Sequence, residues 1–192
     1  MTLAQRRALV AVALLLGSSA RVRTAWADDA PTRAQANAGL RVGIAGQGTG
    51  ALWPETLFAT GLSGDVLFGR SSPRSLGLGP AVTVGTVGFR DLSGTLGASL
   101  LLPVHDYLPL VVSAGGVLRH HGDFGQQAGV AASLFWGSRS FNYTGTWGLV
   151  GGVVLEGRQM FGSPHDHAFL VSAQLDLQVM ALPVVMVINA LR

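Results

Sequence analysis

Residues Leu76 to Leu102 read LGLGPAVTVGTVGFRDLSGTLGASLLL. Before Gly88-Phe89-Arg90-Asp91, one parity holds Leu76, Leu78, Val82 and Val84, the other Gly77, Gly79, Ala81, Thr83 and Gly85. After it, Leu92, Leu96, Ala98, Leu100 and Leu102 alternate with Ser93, Thr95, Gly97 and Ser99. A period of two is the period of a strand, and two such strands about a short link predict a hairpin.

The same alternation recurs on both sides of this hairpin. Upstream it predicts strands over 40–47, with Leu40, Val42 and Ile44 on one face, and over 58–69, with Phe58, Leu62, Val66 and Phe68. Downstream it predicts strands over 110–118, 126–137, 143–157 and 169–179. The intervening stretches, such as Arg70 to Ser75, Pro103 to Pro109, Arg119 to Gly125, Ser138 to Asn142 and Arg158 to His167, carry the Pro, Gly and polar residues of turns and loops. Met180 to Leu191 is apolar on both parities and contains Pro183, as either a prolonged last strand or a short helix.

Eight strands result, each near the ~9–11 residues that cross a bilayer at a tilt. A sheet inside hydrocarbon must close, because an open edge leaves backbone groups unpaired. The expected fold is therefore all-β, a closed antiparallel up-and-down transmembrane β-barrel of eight strands. The second parity is Gly, Ser, Thr and Ala rather than the charged residues of a solvated face, which suits a narrow lumen and sends the apolar parity toward lipid. The alternative is a soluble exported β-barrel with its apolar parity inward around an apolar ligand.

Composition agrees. The 192 residues are 48% hydrophobic and 12% charged, about half the charge of a usual soluble domain, and 27 are Gly, which argues against a helical bundle. Met1 to Ala27 has the parts of a secretory signal: Arg6 and Arg7, the apolar run Ala8 to Leu16, and small residues about Ala25-Trp26-Ala27. The expected organisation is a signal over 1–27, a disordered lead-in over 28–39 and a barrel domain over 40–192. Four of the 13 Arg lie in the signal, so nine remain against ten acids and the formal charge of +3 gives way to a mature chain near neutrality. No basic patch survives to bind nucleic acid. There is no Cys for a disulfide and no Lys to complete a phosphate loop at Gly46-Gln47-Gly48-Thr49-Gly50.

The pattern from Leu40 to Val179 resembles the small, eight-stranded outer-membrane β-barrel proteins of Gram-negative bacteria. The resemblance implies residence in the outer membrane, with its lipid and the barrel-insertion machinery as partners. It implies a structural, adhesive or resistance-related role; a few such proteins are lipid-modifying enzymes. Those proteins usually end in an aromatic residue, whereas this chain ends Asn189-Ala190-Leu191-Arg192.

Candidate chemistry is sparse. His120, His121 and Asp123 fall in one loop, and His165 and His167 with Asp166 in another, a density of imidazole and carboxylate that suits Zn²⁺, although neither spacing is a metal motif. His105 and Asp106 lie in a turn, where catalysis would need a nucleophile such as Ser99 or Ser113. The inward parity carries Arg41, Asp65, Glu156 and Asp176, and a buried Arg needs a partner, so Arg41 is expected to pair with Asp65, Asp176 or both. Trp53, Trp136, Trp147, Tyr107 and Tyr143 fall near strand ends, where aromatic belts meet a membrane surface. The expected function is that of a non-enzymatic outer-membrane protein, structural or surface-interacting, with no cofactor. The rivals are a membrane-embedded lipid-modifying enzyme or narrow transporter, and the soluble binder, in the periplasm or secreted.

Overall fold

The computed structural model describes residues 33–50, 53–122, 125–162 and 166–190. The signal expected over 1–27 lies outside them, as do Asp123 and His165. Eight strands follow in chain order: β1 (Arg33–Gly48), β2 (Thr56–Arg70), β3 (Gly77–Val87), β4 (Asp91–Leu102), β5 (Leu110–His121), β6 (Gly125–Arg139), β7 (Val150–Met160) and β8 (His167–Asp176). A helix, α1 (Leu177–Ala190), comes last. Each strand pairs antiparallel with its chain neighbours, and β1 pairs with β8 from Gly39 opposite Asp176 to Gly48 opposite His167, which closes the barrel.

The hairpin of residues 76–102 forms as expected, with Gly85 opposite Ser93 and Gly77 opposite Leu101. Its turn is tight: Gly88 (φ 60°) and Phe89 (φ 56°) both take left-handed conformations, and Arg90 N–H donates to the Val87 carbonyl at 3.2 Å. Positive φ at both central residues matches the right-handed twist of the flanking strands. A Phe in this conformation is strained. Its ring stacks on Phe58, centroids 5.6 Å apart.

The large apolar parity points outward on all eight strands. Leu96 and Leu118 are each 70% exposed, and Val42, Phe58, Leu62, Leu78, Val130, Trp136, Val153 and Leu175 continue the belt around the wall. The inward parity is small, hydroxylic or charged. Toward the end that holds both Arg33 and Asp176, hereafter the terminal end, the interior is packed by Leu67, Leu101, Val111, Phe135, Val150 and Val154. Toward the other end Ala45, Ala59, Val87, Ala168 and Leu170 form a second cluster. Glycines admit the Phe135 ring to the first: a Cβ on Gly137 or Gly152, which face each other across β6 and β7, would stand 3.0 or 2.9 Å from the ring and 2.4 or 2.5 Å from the opposite backbone.

Several boundaries differ from the sequence reading, three of them by whole segments. β1 starts at Arg33, so residues 33–39 of the expected lead-in are strand. β7 starts at Val150 rather than Tyr143. The two changes have one cause. β8 ends opposite Gly39, which leaves the start of β1 without a partner on that side. The 140–149 link fills the gap: Ala36 N–H donates to the Thr146 carbonyl at 2.8 Å, Gly148 N–H to the Ala36 carbonyl at 3.0 Å, and the Gln35 amide to the Asn142 carbonyl at 2.9 Å. A buried backbone group demands a partner, and this demand overrides the alternation of Tyr143 to Leu149. Third, the apolar tail is helical from Leu177, where Asp176 caps it.

Candidate site in the barrel interior

The inward charges form a chain of pairs along the lumen. At its centre Glu156 on β7 bridges two guanidinium groups, with Oε2 2.8 Å from Arg41 Nη1 and Oε1 2.6 Å from Arg158 Nε. Arg41 Nε also donates to Gln174 Oε1 at 3.0 Å, and Arg158 Nη1 donates to Ser93 Oγ at 2.7 Å. Toward the end away from the termini, Arg119 Nη2 lies 2.6 Å from Asp166 Oδ2, which also accepts from the Gln47 amide at 2.9 Å. Toward the terminal end Arg139 pairs with Asp65. The Asn37 amide sits between that Arg and the loop; oriented by its neighbours' donors and acceptors, it accepts from Arg139 at 2.8 Å and donates to the Gly148 carbonyl at 2.7 Å. Arg70 donates to the Ser75 carbonyl at 2.7 Å and lies over the Phe141 ring, 5.5 Å from its centroid. Paired charges with further hydrogen bonds are the arrangement that makes burial of ions tolerable.

A cavity of about 40 Å³ lies between the Arg41–Glu156 and Arg139–Asp65 pairs, lined by hydroxyls of Ser63, Thr83, Thr95, Ser99, Ser113 and Ser133. A water occupies roughly 10–15 Å³ on this measure, so the space takes a few waters. Ser99 and Ser113 spend their hydroxyls on each other at 2.6 Å, while Ser63 Oγ has no partner among the described residues.

The expected partners of Arg41 are corrected. Asp65 stands opposite Asn37 in the β1–β2 ladder, four residues along from Arg41, or roughly 13 Å at ~3.3 Å per residue. Asp176 is opposite Gly39, and its oxygens accept from the backbone N–H groups of Val150 at 3.2 Å and Gln178 at 2.7 Å. Arg41 instead reaches past Gln174 on the neighbouring strand to Glu156. All three residues nonetheless belong to the interior. Arg119, Arg139, Arg158 and Asp166 fall in expected loops by sequence, yet the first three lie on strands and all four are buried. Parity was the available signal: Arg119 continues the Gly115 and Val117 face, and Arg158 that of Glu156.

The described His residues do not gather into a site. His120 points outward and is exposed, whereas His121 is buried in the interior opposite Asp91. His167 opens β8 opposite Gly48 and Gln159. Among the described residues no three His, Asp or Glu converge as for a metal ion. His105 and Asp106 lie in the exposed 103–109 turn, where His105 Nδ1 accepts from Tyr107 N–H at 3.3 Å and Asp106 forms a double hydrogen bond with Arg74 at 2.6 and 2.7 Å. That pairing holds the Asp106 carboxyl below its ordinary range. Of the aromatic residues singled out, Trp136, Tyr107 and Tyr143 are exposed, while Trp147 is paired through its backbone with Ala36 of β1.

No protein-family model matches the chain, and no curated protein is significantly similar to it.

Proposed function

We propose that the chain is an exported outer-membrane protein whose barrel is a structural or surface-interacting element, with no catalytic step. One observation carries this reading. The outer wall is a continuous apolar belt, and the ions are inside. A barrel evolved for water would hold the opposite arrangement, because about twenty exposed Leu, Val, Ile, Phe and Trp side chains would drive aggregation. The soluble binder is disfavoured by the same inversion, since an apolar ligand would meet paired guanidinium and carboxylate groups. A narrow transporter is disfavoured by the lumen, where apolar clusters flank a space fit for a few waters.

The test is membrane fractionation of the expressed protein, combined with gel mobility before and after boiling. Recovery in the outer-membrane fraction with a heat-dependent shift is expected. Recovery of folded protein in the soluble periplasm would overturn the reading.

A further inference from the structure

We propose that α1 is a membrane-embedded helix that lies in the bilayer leaflet at the terminal end, beside the barrel; this rests on the membrane reading above. The helix spans Leu177–Ala190 as LQVMALPVVMVINA and has no charged residue. A helix at a water surface needs one polar face, and a helix apolar all round is covered by protein or by lipid. Here the described side chains beyond Leu177 are uncovered: Val179 is 50% exposed, Leu182 55% and Met186 69%. Among the described elements, β8 and β1 are the neighbours that touch it most.

Hydrocarbon is the occupant that the surroundings favour. The helix does not leave the barrel on a free tether. Asp176 Oδ1 accepts from Gln178 and Val179 N–H at 2.7 and 3.4 Å, and Oδ2 accepts from Val150 N–H on β7 at 3.2 Å. This cap fixes the first turn to the wall. The last outward residue of β8 is Leu175, 51% exposed, and after the exposed Gln178 of the first turn the apolar surface resumes with Val179, Met180 and Leu182. At 1.5 Å per residue its 14 residues measure about 21 Å, short of the ~30 Å hydrocarbon core. The helix therefore enters one leaflet and does not cross. Its backbone bonds are internal, as hydrocarbon requires; Pro183 removes one donor, a loss that membrane helices tolerate.

The absence of Cys makes the test direct. Single Cys variants M186C, L96C on the barrel belt and T144C in the 140–149 link carry an environment-sensitive fluorophore. Each is refolded into phosphatidylcholine vesicles, with folding checked by heat-dependent gel mobility. Quenching is measured with doxyl-labelled lipid and with aqueous iodide. The expected result is that M186C and L96C are quenched by the lipid and protected from iodide, while T144C is quenched by iodide. The M186C signal is also expected to be unchanged on tenfold dilution with lipid. Iodide quenching of M186C with L96C lipid-quenched would overturn the helix proposal and leave the barrel reading standing. Iodide quenching of L96C would overturn both. Lipid quenching of M186C that appears only on dilution would show a second copy as the occupant and overturn the proposal.

Discussion

Glu156 faces two guanidinium groups and is itself buried. Removing its charge leaves Arg41 and Arg158 close together with no compensating carboxylate. Breaking a buried ion pair from one side costs about 3–5 kcal/mol. Glu156→Gln is thus expected to lower barrel stability by that order, read from urea unfolding in lipid vesicles, whereas the exposed Arg74–Asp106 pair contributes far less. That outer pair is instead visible through pH. Asp106 has its folded pKa depressed, first by the hydrogen bond from Arg74. Its contribution is therefore present above the ordinary carboxylate pKa and lost as pH falls through the lowered value. Asp106→Asn should abolish that acid-side component of the titration, followed by carboxylate chemical shifts, and leave the neutral-pH fold unchanged. At this scale the sequence was only partly legible. Parity identified Arg41, Asp65, Glu156 and Asp176 as inward, but partner choice depends on stagger between strands. That stagger sets Asp65 beside Asn37 and lets Arg41 reach across β8.

The link of residues 140–149 acts as a borrowed strand edge for β1. Ala36 N–H donates to Thr146, on the side away from β2. Ala36→Pro deletes that donor and leaves the Val66 pairing in place. The expected outcome is faster chymotryptic cleavage at Phe141 and Tyr143, with the remaining barrel protected and its β-sheet circular dichroism retained. Equal cleavage rates in variant and parent would refute this role. Alternation located all eight strands, since each carries one parity of bulky apolar side chains. It failed at the ends for an identifiable reason. Inward Arg and His at strand ends look like loop residues in a linear string, so alternation stops short of the ends of β5 and β6 and of Arg158 to Met160 in β7. The tail shows the same ambiguity: an apolar run with no period serves strand or helix equally, and the cap at Asp176 selects the helix.

For the whole molecule, the outward orientation of one parity is the property that composition foreshadowed and that the closed sheet expresses. It makes opposite predictions in two solvents. Leu96→Arg places a cation in the middle of β4 on the outer face, 70% exposed. In a bilayer such a change costs about 2–4 kcal/mol near the midplane. In water it would be neutral or would improve solubility. Urea titrations of the variant in vesicles, set beside its yield of soluble monomer without lipid, separate the cases.

The seam between β1 and β8 has a temporal meaning as well. It joins Gly39 to Asp176, so nearly the full chain must exist before the final ladder can form. Any shorter nascent product is an open sheet with two reactive edges rather than a smaller barrel. Closure is the most non-local event in this topology, and such contacts form slowly. A chain of this design is exposed to misassembly through those edges, and that vulnerability ends abruptly when the first and last strands meet.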